Sequence, residues 1–218
     1  MKFQAVLFDL DGTLLDTLTD IANAVNDVLT RFGFQTHPTD AYRYFVGDGE
    51  HDLIKRILPQ NHLDEKTING WIKAIQQEYG KRWAENTKPY PGIKELLYEL
   101  ERLNLSKAIL SNKLDDFTKL MVKKLLPEFS FNVVRGATPS MPNKPNPASA
   151  IQIADELQIP PEQFIYLGDT NTDMQTANSA GMYAAGALWG FRDADELLAN
   201  GAKVLVKTPQ EVLKLIDT

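Results

Sequence analysis

Apolar positions along this chain keep two rhythms, and the change between them divides it. Ala5-Val6-Leu7-Phe8 is an unbroken apolar run that stops at an acidic segment, as a strand buried on both faces does. The next stretch is helical in spacing. Ile21, Ala22, Val25, Val28, Leu29 and Phe32 share one face, and Gly33 is placed to stop that helix. Leu53, Ile54, Ile57 and Leu58 form a second stripe after Gly49, closed by Pro59. Ile68, Trp71, Ile72, Ile75 and Tyr79 form a third within Asp64–Trp83. Between about Asp16 and Lys88 no strand pattern occurs.

From Pro91 onward short strands and helices alternate. The expected strands are Lys107–Leu110, Phe131–Arg135, Phe164–Leu167, Tyr183–Ala187 and Lys203–Val206. Helical patterns cover Ile93–Leu103, Asp115–Leu126, Pro147–Leu157, Asn171–Ala180, Ala194–Ala199 and Gln210–Ile216. Such alternation predicts an α/β fold, with a mostly parallel, Rossmann-like sheet covered by helices. One strand, then an all-helical stretch, then the remaining strands suggests a core interrupted by an inserted cap domain. The expected division is residues 1–15 and 88–218 for the α/β catalytic core and 16–87 for the helical cap. Pro89 and Pro91 mark the second junction. A single compact domain with a long helical excursion is the alternative.

Bulk composition narrows the function classes. The 218 residues are 43% hydrophobic and 24% charged, enough for a core domain carrying a smaller one without covalent staples. There are no cysteines, which removes disulfides and thiolate metal sites from consideration. With a net charge of −6 and no run of more than two basic residues, a nucleic-acid partner is not expected. No apolar stretch approaches the roughly 20 residues that span a bilayer, so no membrane partner is expected either. Gln4 and Asp9 interrupt the opening apolar run too early for a signal peptide, and a cytoplasmic location is the default expectation.

Three of the expected strands run into polar residues that suit chemistry. Asp9 and Asp11 follow the first, at the end of a parallel strand where ligands of such sheets bind. Residues two apart in extended chain point the same way, so the two carboxylates could share a pocket, or one could pair with the other's backbone. Their repulsion calls for a proton or a hard divalent cation such as Mg²⁺. A solvated Asp-Gly turn is the bland reading of this segment alone. Phe164–Leu167 likewise runs into Gly168-Asp169, with Asp173 about one turn into the next helix. Ile109-Leu110 leads to Ser111-Asn112-Lys113, whose hydroxyl and amide suit phosphate oxygens or simply cap a helix. Lys144, in Met141-Pro142-Asn143-Lys144-Pro145-Asn146-Pro147, sits in a loop stiffened by three prolines.

In this order, Asp9-Leu10-Asp11-Gly12-Thr13, Ser111-Asn112-Lys113, Lys144-Pro145 and Gly168-Asp169 with Asp173 resemble the motifs of haloacid dehalogenase (HAD) superfamily phosphatases. The resemblance spans the whole chain. Ala180-Gly181-Met182, Trp189-Gly190-Phe191 and Phe45-Val46-Gly47-Asp48-Gly49 are similar to its phosphoglycolate-phosphatase-like branch. It implies hydrolysis of a small phosphate monoester through an aspartyl-phosphate on Asp9. Asp11 is implied as general acid and then base, with Mg²⁺ held by Asp9, the Asp11 backbone carbonyl and Asp169. Ser111, Asn112 and Lys144 are implied to bind the phosphoryl oxygens, with Asp173 supporting Lys144 or metal-bound water. The Val46–His51 loop, with Gly47, is the expected cap contact to the leaving group, and Arg43, His51 and Lys55 are the expected partners for a substrate carboxylate. The partner is then a small-molecule phosphate ester, and the assembly a monomer or homodimer. A phosphosugar mutase and a pyrophosphatase of the same superfamily are the nearest alternatives. A receiver-like, phosphorylation-dependent binding module is the alternative outside enzymes, and the helical insert after Asp11 speaks against it.

Overall fold

The computed structural model describes residues 2–59 and 63–216. In chain order its elements are β1 (Ala5–Phe8), β2 (Leu15–Asp16), α1 (Leu18–Arg31), α2 (Tyr42–Phe45), α3 (Glu50–Ile57), α4 (Glu65–Arg82) and β3 (Lys88–Pro89). There follow α5 (Ile93–Arg102), β4 (Ser106–Leu114), α6 (Asp115–Leu125), β5 (Val133–Ala137), α7 (Ala148–Leu157) and β6 (Phe164–Gly168). The chain continues with α8 (Asn171–Ser179), β7 (Tyr183–Ala187), α9 (Ala194–Ala199), β8 (Val204–Val206) and α10 (Glu211–Ile216). Contacts divide the chain into two compact units, residues 1–15 with 89–218, and residues 16–88. No helix among the described residues is long and apolar enough to cross a membrane.

The first unit is the predicted α/β fold. Its six-stranded sheet runs β5-β4-β1-β6-β7-β8, with every pairing parallel. Ala5, Leu7, Ala108, Leu110, Phe164, Tyr166 and Ala184 fill one face together with Ala150, Ile153, Met174 and Ala177 of α7 and α8. Val6, Phe8, Ile109, Ile165 and Leu167 alternate with them and are equally buried. Burial on both faces is why these strands read as continuous apolar runs.

Strand order decides where the polar loops meet. β1 lies between β4 and β6, with Phe8 opposite Ile109 on one side and Leu167 on the other. The chain therefore reverses its winding direction at β1, the switch point that opens a crevice at the carboxyl ends of a doubly wound sheet. β4 is longer than the apolar run predicts, continuing through Ser111-Asn112-Lys113 to Leu114 with a register shift against β5. That extension carries polar side chains, so hydrophobic periodicity does not mark it. β2 and β3 pair with each other, and at two residues apiece they are too short to show any period.

The second unit has its own small core. α1 packs on α4, and α3 on α4, burying Ala22, Val25, Leu29, Leu53, Ile54, Ile68 and Trp71. Asp64 starts α4 by accepting the Thr67 N–H at 3.0 Å. Asp20, in the first turn of α1, is 1% exposed and accepts from Asn86 N and Nδ2 and from Thr87 N and Oγ1. It clasps the two ends of this unit's chain. Burial alone would raise its pKa, but the Asn86 and Thr87 hydrogen bonds outweigh that and hold it below the ordinary carboxylate value. The carboxylate's contribution is then complete above the unfolded-state pKa of about 3.9 and is lost as pH falls through the lower folded-state value. Asp20→Ala should cost about 3 kcal/mol at pH 7, because buried donors lose their acceptor. Urea unfolding should show that deficit at pH 7 and a smaller one near pH 3, and an equal deficit at both would contradict the clasp.

Candidate active site

Local helix chemistry places one acid. Thr170 is the N-cap of α8 and Asp173 its third residue, in a reciprocal capping box. Asp173 Oδ2 accepts Thr170 Oγ1 at 2.7 Å and the Asp169 N–H at 3.2 Å. Its other oxygen accepts the Lys144 ammonium at 2.6 Å, so an ordinary cap becomes a lysine holder.

Lys144 is the hub. It is 5% exposed, and Nζ also donates to Asp9 Oδ1 at 2.8 Å. Asn112 fastens the loop that presents it. The Lys144 N–H donates to Asn112 Oδ1 at 2.9 Å, and Asn112 Nδ2 donates to the Lys144 carbonyl at 3.1 Å. Asn112 therefore ties the end of β4 to the Lys144 loop. Ser111, beside it, is buried, with Oγ accepting the Lys113 N–H at 3.2 Å.

Asp9 and Asp169 follow adjacent strands. Asp169 Oδ1 accepts Thr13 Oγ1 at 2.6 Å, and Oδ2 accepts the Phe191 N–H at 2.8 Å. Trp189 Nε1 donates to the Thr13 carbonyl at 2.9 Å, bracing the same turn. Gly190 has to be glycine, because a Cβ there would overlap Asp169. Gly12 would overlap the same carboxylate and also sits at φ +89°, where an L side chain is strained.

Asp9, Asp169 and Asp173 each offer a carboxylate oxygen, all within 4.8 Å of one another, and all three residues are buried. Burial, opposed by the Lys144 ammonium but reinforced by Asp173 and Asp169, holds the Asp9 pKa well above its ordinary value. Burial and then the Asp173 charge push Asp169 up to about 7. Lys144 pays for its own burial, yet Asp173 and Asp9 outweigh that and keep it firmly protonated. Three carboxylates against one ammonium leave the cluster short of positive charge. Oxygen donors with that deficit fit a hard divalent cation.

Asp11 stands apart from the cluster. Its Oδ2 pairs with Lys113 Nζ at 3.0 Å, while its Oδ1 is buried without a hydrogen-bond partner. The structure thus brings Asp9, Lys144, Asp169 and Asp173 into direct contact, with Ser111 and Asn112 on the same strand end. In the helical unit Arg43 pairs with Asp40 at 3.6 Å, His51 with Glu65 at 3.4 Å and Lys55 with Asp52 at 3.7 Å. Gly47 lies in the turn between α2 and α3 at φ +116°. Sequence reasoning assigned no role to Thr13, Lys113, Tyr166 or the Phe191 N–H. Tyr166 donates to Asp173 Oδ1 at 3.4 Å from inside a strand that reads as apolar. The Trp189-Gly190-Phe191 motif was the available signal for the Asp169 contact.

Comparison with known proteins shows the family. Residues 6–187 match the family model for haloacid dehalogenase-like hydrolases. A phosphoglycolate phosphatase of Aquifex aeolicus is 28% identical over 214 residues, 98% of this chain and 97% of that protein. One from Psychrobacter arcticus is 30% identical over 207 residues, 90% of this chain and 88% of its own. Among solved structures, a haloacid dehalogenase-like family hydrolase from Streptococcus pneumoniae is 26% identical, covers 99% of each chain and superposes with a TM-score of 0.89. A Lactobacillus delbrueckii subsp. bulgaricus protein, also 26% identical with 99% of each chain covered, reaches 0.92. This chain belongs to the haloacid dehalogenase-like hydrolase family, in its phosphoglycolate-phosphatase-like branch, and is a phosphatase acting on a small phosphate ester.

Proposed function

We propose that the protein is a Mg²⁺-dependent phosphatase that hydrolyses 2-phosphoglycolate, or a close carboxylate-bearing relative, through an aspartyl-phosphate on Asp9. The observation that carries this reading is the buried Asp9–Lys144–Asp173 chain beside Asp169, at the switch point of the sheet. Asp9 attacks phosphorus, and Asp11 protonates the leaving alcohol and then takes a proton from the attacking water. Lys144 and Ser111 neutralise and orient phosphoryl oxygens, while Asn112 and Asp173 hold Lys144 in place. Mg²⁺, held by Asp9, Asp169 and the Asp11 carbonyl, would supply charge stabilisation to the transferring group. Residues 16–87 serve as the cap, with Gly47 in the loop proposed to meet the leaving group and Arg43, His51 and Lys55 proposed to recognise the substrate carboxylate.

Full-length similarity to proteins named phosphoglycolate phosphatase supports the substrate choice. The test is turnover of purified protein on phosphoglycolate, sugar phosphates, nucleotides, pyrophosphate and alkyl phosphates lacking a carboxylate, each with Mg²⁺. Phosphoglycolate should show the highest kcat/KM. A clear preference for a carboxylate-free ester would remove the substrate assignment, and dependence on a sugar bisphosphate activator would favour a mutase.

Cation removal gives a second expectation. A chelator should abolish turnover, and Mg²⁺ should restore it while raising Tm, since an ion bound to the folded state alone stabilises it. The raised pKa values give the sign with pH: protons compete for Asp169 below about pH 7, and the raised pKa of Asp9 adds competition in the same direction. The Mg²⁺-dependent Tm gain should therefore shrink from pH 8 to pH 6, as followed by differential scanning calorimetry. A gain independent of pH would contradict carboxylate ligation.

A further inference from the structure

We propose that Lys113 is a positioning residue for acid–base catalysis, fixing Asp11 by one oxygen so that Oδ1 exchanges the proton with the substrate. The inference rests on the assignment of Asp11 as acid and base made above. The two oxygens of Asp11 are not equivalent in the structure. Oδ2 lies 3.0 Å from Lys113 Nζ, and Oδ1 is buried with no hydrogen-bond partner. A buried carboxyl oxygen with no partner from the chain itself calls for one from outside it, and we assign that partner to the leaving oxygen of the substrate.

Lys113 is built to hold that arrangement. Its side chain is only 11% exposed, so the ammonium is not a mobile surface arm. Its N–H donates to Ser111 Oγ at 3.2 Å, and its carbonyl accepts Thr118 Oγ1 at 3.2 Å. A Cβ on Gly136 of β5 would overlap the Lys113 carbonyl, so the neighbouring strand approaches closely enough to confine the lysine backbone. The irregular end of β4 thereby aims two side chains differently, Ser111 as a phosphoryl ligand and Lys113 at Asp11.

In the first half-reaction an Asp9 oxygen forms its bond to phosphorus as the ester P–O bond breaks. The bonding pair stays on the ester oxygen, which takes the proton from Asp11 Oδ1 and departs as the alcohol. Asp11 is left as a carboxylate paired to Lys113. In the second half, water attacks phosphorus and gives its proton to the same oxygen, and the Asp9–phosphorus bond breaks with its pair returning to Asp9. Lys113 neither touches phosphate nor carries the proton.

The test compares leaving groups. A nitrophenolate departs without a proton, whereas an alkoxide requires one. First-turnover release should be measured by rapid mixing for 2-phosphoglycolate and p-nitrophenyl phosphate, in wild type and in Lys113→Met, Lys113→Gln, Lys113→Arg and Asp11→Asn. Both neutral variants should lose roughly 100-fold on phosphoglycolate and less than about threefold on the aryl ester, with KM little changed. Lys113→Arg should recover most of the alkyl rate. Equal losses on both esters in the two neutral variants, or a loss confined to KM, would overturn the proposal and make Lys113 a structural or phosphate-binding residue. If Asp11→Asn discriminates between esters and the lysine variants do not, Asp11 keeps its role and only the Lys113 inference fails. If Asp11→Asn does not discriminate either, the acid–base assignment itself falls, and the inference with it.

Discussion

Asp9→Asn should reduce phosphate-ester turnover by roughly 10⁴-fold or more while leaving the protein folded, because an amide cannot accept the phosphoryl group. The structure makes the fold half of this expectation as specific as the catalytic half. Asp9 is buried beside Asp169 and Asp173, whose like charges disfavour its ionised form. Removing that charge relieves repulsion, and Lys144 keeps its 2.6 Å partner in Asp173. The Tm of the metal-free variant should therefore equal or exceed that of the metal-free wild type. Residual turnover within tenfold of wild type would exclude Asp9 as nucleophile. A collapse in Tm would mean that the loss of activity reports unfolding instead. Trapping a phosphorylated intermediate in wild type, absent in the variant, would complete the assignment.

Lys144→Met should cost stability as well as activity. The ammonium is bonded to two carboxylates from different loops, at 2.8 Å to Asp9 and 2.6 Å to Asp173. Methionine fills much of the same volume but leaves both acids buried without a cation. Removing one partner of a buried ionic group costs about 3–5 kcal/mol, more than the intact group contributes over an apolar substitute. Turnover should fall by at least 10²-fold, an estimate on the order of that for loss of one preorganised donor to developing charge. The pairing predicts coupling. Asp9→Asn should therefore stabilise Lys144→Met by more than it stabilises wild type, because only in that background does it remove an acid that has lost its cation. An equal effect of Asp9→Asn in both backgrounds, read by urea unfolding as a double-mutant cycle, would show that the two side chains do not act as a pair.

Much of the fold was legible because the relevant signals are local. Ala5–Phe8 and Phe164–Gly168 are strands buried on both faces, and such strands advertise themselves as apolar runs with no alternation. The stripes at Ile21–Leu29 and Ile68–Tyr79 face the core of their own unit, so their 3.6-residue period survives. β4 beyond Leu110 was not legible, since its side chains from Ser111 to Lys113 face polar partners. The tiny strands β2 and β3 are shorter than one repeat of any pattern.

Among site residues the same division holds. Asp9, Asp11 and Asp169 stand out in sequence because each follows an apolar run, where a parallel sheet opens its crevice. Asp173 is legible one turn into α8, as the third residue of a capping box. Lys144 in isolation looks like any loop lysine. Only folding brings it against Asp9, 135 residues earlier in the chain, and only the Asn112 amide holds its loop there. The pairing of Lys113 with Asp11 is equally invisible, because β1 and β4 become neighbours through the strand order and not through the chain. The Phe191 N–H that holds Asp169 is a backbone group and has no sequence signature at all.

By itself, the sequence determined that this chain makes a parallel α/β sheet interrupted by a helical insert, with acidic loops at the ends of particular strands. Those features depend on the period of burial and on residues next to one another, which pattern alone reports. Tertiary structure alone decided which loops meet, which oxygens of each carboxylate are engaged, and how few positive charges face so many negative ones. These are consequences of strand order and burial, set by packing across more than a hundred residues of chain.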